Sequence, residues 1–156
     1  MSDSWELRRA AAGDVDAIRA LTREAYAKWV PLIGREPLPM TADYSEAVSN
    51  HRIDLMHVEG VFAALIEMIA ATDHLLIENV AVAPPFQGRG LGKALVLHAE
   101  SVAAASGFSQ IRLYTNKLFT ANLALYSRLG YRTDREDPFR GGTVVHMSKA
   151  LVPDPG

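Results

Sequence analysis

The spacing of hydrophobic residues changes along the chain, and each change predicts a different kind of element. After a short predicted strand over residues 5–9, apolar side chains recur every three or four positions between residues 15 and 29, which predicts an amphipathic helix. We expect Asp14 to cap this helix and Pro31 to end it, because proline disfavours helix at the residue before it. A second short helix is predicted over residues 42–50.

The period then becomes that of β-structure. Residues 53–59 alternate between apolar and polar side chains, Gly60 interrupts the pattern, and residues 61–69 are rich enough in β-formers to predict a second strand. A turn leads into a third strand over residues 74–82, which ends before two prolines. Consecutive strands joined by tight turns imply an antiparallel meander.

The second half of the chain alternates between helices and strands. The predicted order is a helix over residues 90–106, a strand over 110–115, a helix over 120–129, and closing strands over 131–134 and 143–149. A strand, helix and strand in succession form a crossover, so the strands at 74–82 and 110–115 should be parallel. The pattern predicts an α/β chain with a mixed, mostly antiparallel sheet and helices on both faces. A two-layer ferredoxin-like sandwich is the alternative architecture.

Length and composition limit the class of protein. The chain has 156 residues, of which 49% are hydrophobic and 22% charged, as expected for one globular domain. We expect this domain to span residues 1–152 and residues 153–156 to form a frayed tail. The sequence contains no cysteine, which excludes disulfides, thiolate metal sites and a cysteine nucleophile.

Charge and hydropathy bear on partners and location. Sixteen basic residues against eighteen acidic ones give a net charge of −2, so we expect no nucleic-acid partner. The longest apolar stretch, residues 60–72, contains Glu67 and is too short to span a membrane, so no membrane partner is expected either. The first ten residues lack the apolar core of a signal peptide, and we expect a cytoplasmic protein.

A glycine-rich turn between a predicted strand and a predicted helix is the most informative segment. Glycines at positions 88, 90 and 92 allow positive φ angles, and the first N–H groups of a helix bind phosphate well. A P-loop would need glycine at Gln87 and serine or threonine at Ala94, and a Rossmann fingerprint would need glycine at Lys93. The turn is therefore either a different pyrophosphate cradle or a glycine-rich corner without a ligand.

Two segments resemble motifs of the GNAT superfamily of N-acetyltransferases. Residues 87–92, QGRGLG, resemble the acyl-coenzyme A loop with its Q/R-x-x-G-x-G/A pattern, and the preceding residues 80–84 resemble the strand before that loop. Residues 122–131, NLALYSRLGY, resemble the A-x-x-L-Y-x-x-x-G-F/Y segment of the same family. The two segments occur in the family's order and at its usual separation, and the resemblance extends over nearly the whole chain.

The resemblance implies an acetyl donor, acetyl-coenzyme A, in a cleft where two parallel strands splay apart. The backbone of Val80 and Val82 would pair with pantetheine, the same strand would hold the thioester carbonyl, and N–H groups of the glycine-rich turn would hold the pyrophosphate. Many members have an asparagine at the position of Phe119, so Asn116 and Asn122 are the candidates for its role. The implied cofactor contacts are Val80, Ala81, Val82, Gln87, Gly88, Arg89, Gly90, Leu91, Gly92, Lys93, Asn116 and Asn122.

Acetyl transfer to an amine needs an acid for the departing thiolate and a base for the ammonium. The resemblance places Tyr126 at the coenzyme A sulfur as the acid; the alternative is a core tyrosine on an amphipathic helix. Glu78 is the candidate base, because strand alternation puts it on the face of Val80 and Val82, whereas a salt-bridged strand carboxylate is the alternative. Glu67 on the preceding strand is a rival.

Other residues bear on the acceptor and on cofactors. Tyr26 and Trp29 lie where relatives build the acceptor wall, although packing of the first helix would also explain them. Five histidines are dispersed without metal-ligand spacing, and no metal is expected. We therefore predict an N-acetyltransferase that uses direct attack by a small-molecule or peptide amine, with a homodimer as the assembly. The alternative is a non-catalytic coenzyme A-binding sensor or interaction module.

Overall fold

A computed structural model describes residues 4–152. The predicted frayed tail, residues 153–156, lies outside the described residues. The strands are β1 (Trp5–Arg9), β2 (Arg52–Val58), β3 (Val61–Ala70), β4 (Leu75–Val82), β5 (Gln110–Asn116), β6 (Arg132–Phe139) and β7 (Gly142–Ala150). The helices are α1 (Val15–Tyr26), α2 (Val30–Ile33), α3 (Tyr44–Asn50), α4 (Leu91–Ala105) and α5 (Thr120–Arg128).

The strands within residues 4–152 form a mixed seven-stranded sheet in the order β1-β2-β3-β4-β5-β7-β6. β4 and β5 are parallel, as the crossover through α4 predicts, and Leu75–Ile77 pair with Ile111–Leu113. The pairs β1–β2, β2–β3, β5–β7 and β6–β7 are antiparallel. The predicted mixed, mostly antiparallel sheet is confirmed, and its element order differs from the βαββαβ order of a ferredoxin-like sandwich.

The described chain divides into two compact units. The first comprises residues 4–68 and Asn79–Val96, and the second comprises Ile69–Glu78 and residues 97–152. The core of the first unit is built from the apolar stripes of α1 and α3 on inward-facing strand residues. Its buried members are Ile18, Leu21, Ala25, Tyr44, Ala47, Ile53, Leu55, Leu65, Ala81 and Ala83.

The second unit is built on the β5–β7–β6 ladder. Alternate residues of β5 and β7 are buried, among them Ile111, Leu113, Val145 and Met147. β6 is longer than predicted, because it runs from Arg132 to Phe139 where we expected a strand over residues 131–134. β6 stands at the sheet edge with nearly every side chain exposed, so it lacks the apolar alternation that identifies a strand.

Asp14 occupies the predicted N-cap position of α1, whereas the predicted end of this helix at Pro31 is wrong. Asp14 makes no capping bond to the helix, and its carboxylate instead accepts hydrogen bonds from the Arg8 guanidinium at 2.9 and 2.7 Å and from the Ala11 N–H at 2.8 Å. These bonds, led by those from Arg8, lower the pKa of Asp14 to about 2. Pro31 lies in the first turn of α2, where its missing N–H breaks no helix hydrogen bond, and α1 already ends at Tyr26.

Candidate active site

The glycine-rich corner between β4 and α4 has the backbone that the sequence predicts. Gly88 and Gly90 adopt φ angles of +80° and +81°, which a side chain would disfavour. The amide of Ala94 donates the first bond of the helix to the Gly90 carbonyl at 3.1 Å, so the preceding N–H groups have no acceptor within the helix. A Cβ added at Gly88, Gly90 or Gly92 would meet no atom within 4 Å. The corner therefore combines N–H donors with open space, which suits an anionic group.

Side chains of the first unit tie this corner to its surroundings. The Gln87 side-chain amide donates to the Val82 carbonyl at 2.9 Å, and its oxygen accepts from Lys28 Nζ at 3.0 Å. The Arg89 guanidinium lies 5.1 Å from the centre of the Phe86 ring, and Lys93 is exposed. Lys28 was missed by sequence reasoning, since it lies 59 residues from Gln87 and no local pattern connects them. Three cations thus belong to or adjoin the corner.

The backbone of β4 presents Val80 and Val82 on one edge of the strand. The amide of Ala83 donates to the Ala63 carbonyl at 2.8 Å, so that peptide points towards β3. Because successive peptides alternate in direction, Val80 and Val82 point to the other edge. There the Val80 carbonyl accepts from the Tyr26 hydroxyl at 3.2 Å, and the Val82 carbonyl accepts from Gln87. This edge is the one that the resemblance assigns to pantetheine.

Tyr26 belongs to a buried hydrogen-bond network in the first unit. Its hydroxyl donates to Asn79 Oδ1 at 2.7 Å, Asn79 Nδ2 lies 3.4 Å from the Tyr44 hydroxyl, and that hydroxyl donates to the Pro39 carbonyl at 2.6 Å. Asn79 is only 4% exposed and occupies a core-facing position of β4, a polar residue that sequence reasoning missed. The network ties α1, α3 and the loop at Pro39 to β4. Trp29 is half-buried, and Lys28 Nζ lies 4.9 Å from the centre of its ring.

The second unit holds the candidate base. Glu78 is half-buried on β4, and its Oε1 accepts a hydrogen bond from the Tyr114 hydroxyl at 2.5 Å. Tyr114 is the residue of β5 next in register after the Leu113–Ile77 pair, so the two side chains lie side by side. Sequence reasoning missed Tyr114, because it predicted that the two strands are parallel but not the register that places Tyr114 beside Glu78.

The candidate acid lies on α5 of the same unit. Tyr126 is 8% exposed, and burial raises the pKa of its phenol to about 12. The Tyr131 ring packs edge-on against it, with 6.0 Å between the ring centres. No hydrogen-bond partner of the Tyr126 hydroxyl occurs among residues 4–152. Tyr131 differs, because its hydroxyl donates to Glu100 Oε2 at 3.0 Å. Tyr126 thus keeps its proton at neutral pH and has a hydroxyl that can donate it.

The remaining predicted residues have structural partners. Glu67 is buried, and its Oε2 lies 2.6 Å from Nδ1 of His51, so the rival base is paired within the first unit. The Asn116 side chain accepts from the Leu118 amide at 2.9 Å and closes the turn before α5, which begins after the buried Phe119. Asn122 is half-buried on α5.

A comparison with protein families identifies the family of this chain. Residues 17–131 match the sequence profile of the Acetyltransferase (GNAT) family. The chain belongs to this family. The GNAT match includes the glycine-rich corner and the Tyr126 segment, and it confirms the resemblance drawn from those two motifs. The roles of the individual side chains stay predictions.

Curated relatives of this GNAT chain match part of its length. It is 37% identical over 70 residues to the N-alpha-acetyltransferase 80 of Mus musculus. The matched stretch is 45% of this chain and 21% of that protein. It is 33% identical over 99 residues to the mycothiol acetyltransferase of Nocardia farcinica, which covers 62% of this chain and 31% of that protein. The chain therefore spans about a fifth to a third of the length of these two relatives.

Solved structures match this GNAT chain over most of its length. The PaiA N-acetyltransferase from Thermoplasma acidophilum, in complex with coenzyme A, has a TM-score of 0.81 at 17% identity, covering 95% of this chain and 99% of that one. The ribosomal-protein-S18-alanine N-acetyltransferase from Escherichia coli has a TM-score of 0.78 at 21% identity, and the match covers 98% of this chain and 97% of that one. At these identities the similarity confirms the fold.

Within the described range, 4–152, no group of three or more histidine, aspartate or glutamate side chains could hold a metal ion. No helix in the same range is long and apolar enough to cross a membrane.

Proposed function

We propose that this GNAT chain transfers an acetyl group from acetyl-coenzyme A to a primary amine by direct attack. The observation that carries the proposal is the corner between β4 and α4, where N–H donors and cations adjoin open space. Support comes from two neighbours of the same fold, solved in complex with coenzyme A and with acetyl-CoA bound. A third support is the presence of an acid and a base candidate, Tyr126 and Glu78, in the second unit.

The corner would hold the pyrophosphate of coenzyme A. N–H groups from Gly88 to Lys93 would donate to its oxygens, and the cations of Lys28, Arg89 and Lys93 would add attraction. The edge of β4 with Val80 and Val82 would pair with pantetheine through its backbone. Ala81 and Leu91 are buried, at 2% and 3% exposure, so they would contribute main-chain atoms only. Asn122 is the better remaining candidate for the asparagine contact, since Asn116 already closes a turn.

The chemistry follows from what Glu78 and Tyr126 can do with protons. Acetyl-coenzyme A, when bound, supplies an activated acetyl carbon and a thiolate leaving group. Glu78 takes one proton from the acceptor ammonium, directly or through a water, which frees the nitrogen lone pair. The C–N bond then forms at the thioester carbonyl and the C–S bond breaks, its electron pair leaving on sulfur. Tyr126 gives its proton to that sulfur, and the second nitrogen proton restores the phenol.

The acceptor would be a small-molecule or peptide amine. One relative is named an N-alpha-acetyltransferase, and one structural neighbour is named a ribosomal-protein-S18-alanine N-acetyltransferase. These names support a peptide N-terminus as one class of acceptor to test. Tyr26, Trp29 and Glu67 are the proposed acceptor-side residues. Tyr26 would contact the acceptor near the Val80 carbonyl, to which its hydroxyl is hydrogen-bonded. A homodimer is the proposed assembly.

Two assays on the full chain test the proposal. Calorimetric titration with coenzyme A should give saturable binding. Release of free thiol from acetyl-coenzyme A should then require an amine from a panel containing an alanine-starting peptide, free lysine and spermidine. Binding without turnover on any amine would favour the non-catalytic module. Absence of binding would contradict the pyrophosphate cradle itself.

A further inference from the structure

We infer that Tyr114 is a positioning residue that orients the Glu78 carboxylate for proton transfer, and that a row of side chains across four strands holds it in place. The inference rests on the proposed function, in which Glu78 is the base. It concerns a residue that neither motif of the GNAT resemblance includes.

The first step is the contact between the two side chains. The Tyr114 hydroxyl donates to Oε1 of Glu78 at 2.5 Å, and both residues are half-buried on adjacent parallel strands. A hydrogen bond to a charged acceptor contributes more than one between neutral groups. With Oε1 engaged by the phenol, the carboxylate cannot rotate freely, and Oε2 is the oxygen left to accept the ammonium proton.

The second step is what fixes the tyrosine ring. Tyr114 pairs in register with His146 on β7, and their ring centres lie 6.2 Å apart at a tilt of 41°. His146 pairs in turn with Arg135 on β6, and its Nε2 lies 3.1 Å from Asp137 Oδ2. Arg135 donates to the same carboxylate oxygen at 2.8 Å. The row therefore runs from β4 through β5 and β7 to the edge strand β6.

The third step is the state of the last carboxylate in the row. The hydrogen bond from Arg135 lowers the pKa of Asp137, and the charges of Arg135 and His146 act in the same direction. Asp137 is therefore ionised at neutral pH, and its carboxylate stays paired with Nε2 of His146. The ring in turn lies beside Tyr114 and limits the space into which the Tyr114 ring can move.

The consequence concerns turnover more than binding. A base must lie within hydrogen-bond reach of the proton that it removes, and small misplacements of a reacting group are costly. Removing the Tyr114 hydroxyl should leave the fold and the coenzyme A corner unchanged, because the corner belongs to the first unit. It should slow proton removal by letting the Glu78 carboxylate rotate.

A double-mutant cycle on the full chain tests the inference, with the fastest amine of the panel as acceptor. Tyr114→Phe should lower kcat about tenfold and leave the KM for acetyl-coenzyme A within about twofold. In the Glu78→Gln background the same change should have no further effect on kcat. Tyr131→Phe is the matched control, because it also removes a phenol-to-glutamate hydrogen bond in the second unit while keeping the ring. Any effect of Tyr131→Phe on kcat should be smaller than that of Tyr114→Phe and should persist in the Glu78→Gln background, because Tyr131 contacts Tyr126 and Glu100 and not Glu78.

Each outcome separates this inference from the proposed function. If Glu78→Gln lowers kcat but Tyr114→Phe does not, the positioning role is wrong and the proposed base stands. If Tyr114→Phe lowers kcat equally in both backgrounds, the tyrosine acts independently of Glu78 and the inference is again wrong. If Glu78→Gln leaves kcat unchanged, the base assignment fails and the inference fails with it. If no amine is acetylated by the unaltered chain, the proposed function itself is contradicted.

Discussion

Tyr126 is a buried phenol whose hydroxyl bonds to no residue among those described, a combination that suits a proton donor. An ordinary tyrosine has a pKa of about 10, and burial raises that of Tyr126 to about 12. Its proton is therefore present throughout the neutral range. The raised pKa also makes the phenol a weaker acid, so its contribution depends on the sulfur being a developing thiolate when the proton moves.

Removal of the Tyr126 hydroxyl should slow turnover. Tyr126→Phe is expected to lower kcat by about a hundredfold, within the range for loss of a general acid. The KM for acetyl-coenzyme A should stay within about twofold, because the ring and its contact with Tyr131 remain. Steady-state kinetics on the fastest amine checks this. A variant with unchanged kcat would return Tyr126 to the role of a core tyrosine.

The same residue should make stability depend on alkaline pH. Because its folded pKa, about 12, exceeds the unfolded value of about 10, the neutral phenol favours the folded state. This contribution is complete below pH 10 and is lost as the pH rises from 10 towards 12. The free energy of unfolding should fall by up to about 1.4 kcal/mol per pH unit more in the unaltered chain than in Tyr126→Phe.

Urea unfolding of both proteins between pH 9 and 11 measures this difference. Burial and Glu100 also raise the pKa of Tyr131, but Tyr131 is present in both proteins and its effect largely cancels. Parallel pH dependences for the two proteins would mean that the Tyr126 phenol is not buried as described.

At the scale of elements, the corner between β4 and α4 joins conformation to binding. Position 90 favours glycine because its φ is +81°. Gly92 lies in the first turn of α4, where a positive φ is not required. Gly90→Ala should cost about 1 kcal/mol of stability and weaken coenzyme A binding at least about tenfold. Gly92→Ala should raise stability by about 0.5–1 kcal/mol, because alanine favours helix. It should bind coenzyme A nearly unchanged, since the motif accepts alanine there.

Gly60 supplies the matched control for strain. It has a φ of +84° in the turn between β2 and β3, and a Cβ there would also meet no atom within 4 Å. Gly60→Ala should lose about as much stability as Gly90→Ala, about 1 kcal/mol, without weakening coenzyme A binding. Calorimetric titration and urea unfolding measure both effects. Equal loss of binding in the two variants would show that strain, and not the cradle, controls affinity.

Elements with a strong local signal were predictable from the sequence, and those without one were not. β4 and α4 were placed to within a residue because apolar periodicity and a glycine-rich break coincide there. β6 was cut short because both of its faces are polar, so it has no hydrophobic alternation. The end of α1 was misplaced because Pro31 marks the start of the next helix as readily as the end of the previous one.

At the scale of the whole molecule, the candidate site also contains parts that the sequence could predict and parts that it could not. The motif segments at residues 87–92 and 122–131 are contiguous in sequence, so a resemblance could find them. The contacts of Lys28 with Gln87, of Tyr26 with Asn79 and of Tyr114 with Glu78 join residues 59, 53 and 36 positions apart. Such contacts depend on strand register and helix packing, which no local pattern specifies. Asn79 shows this best, because a polar residue in a β-strand predicts nothing until its two tyrosine partners are known.

The absence of cysteine from the sequence bears on the kinetic mechanism of the whole reaction. Without a thiol nucleophile, an acetyl-cysteine intermediate cannot form, and both substrates should be bound when the acetyl group moves. Initial rates measured over a grid of acetyl-coenzyme A and amine concentrations test this most directly. Intersecting lines in the double-reciprocal plots, with transfer of the acetyl group to the amine nitrogen, are the predicted result. Parallel lines, which indicate an acetylated enzyme, or no acetylated amine at all, would contradict direct acetyl transfer.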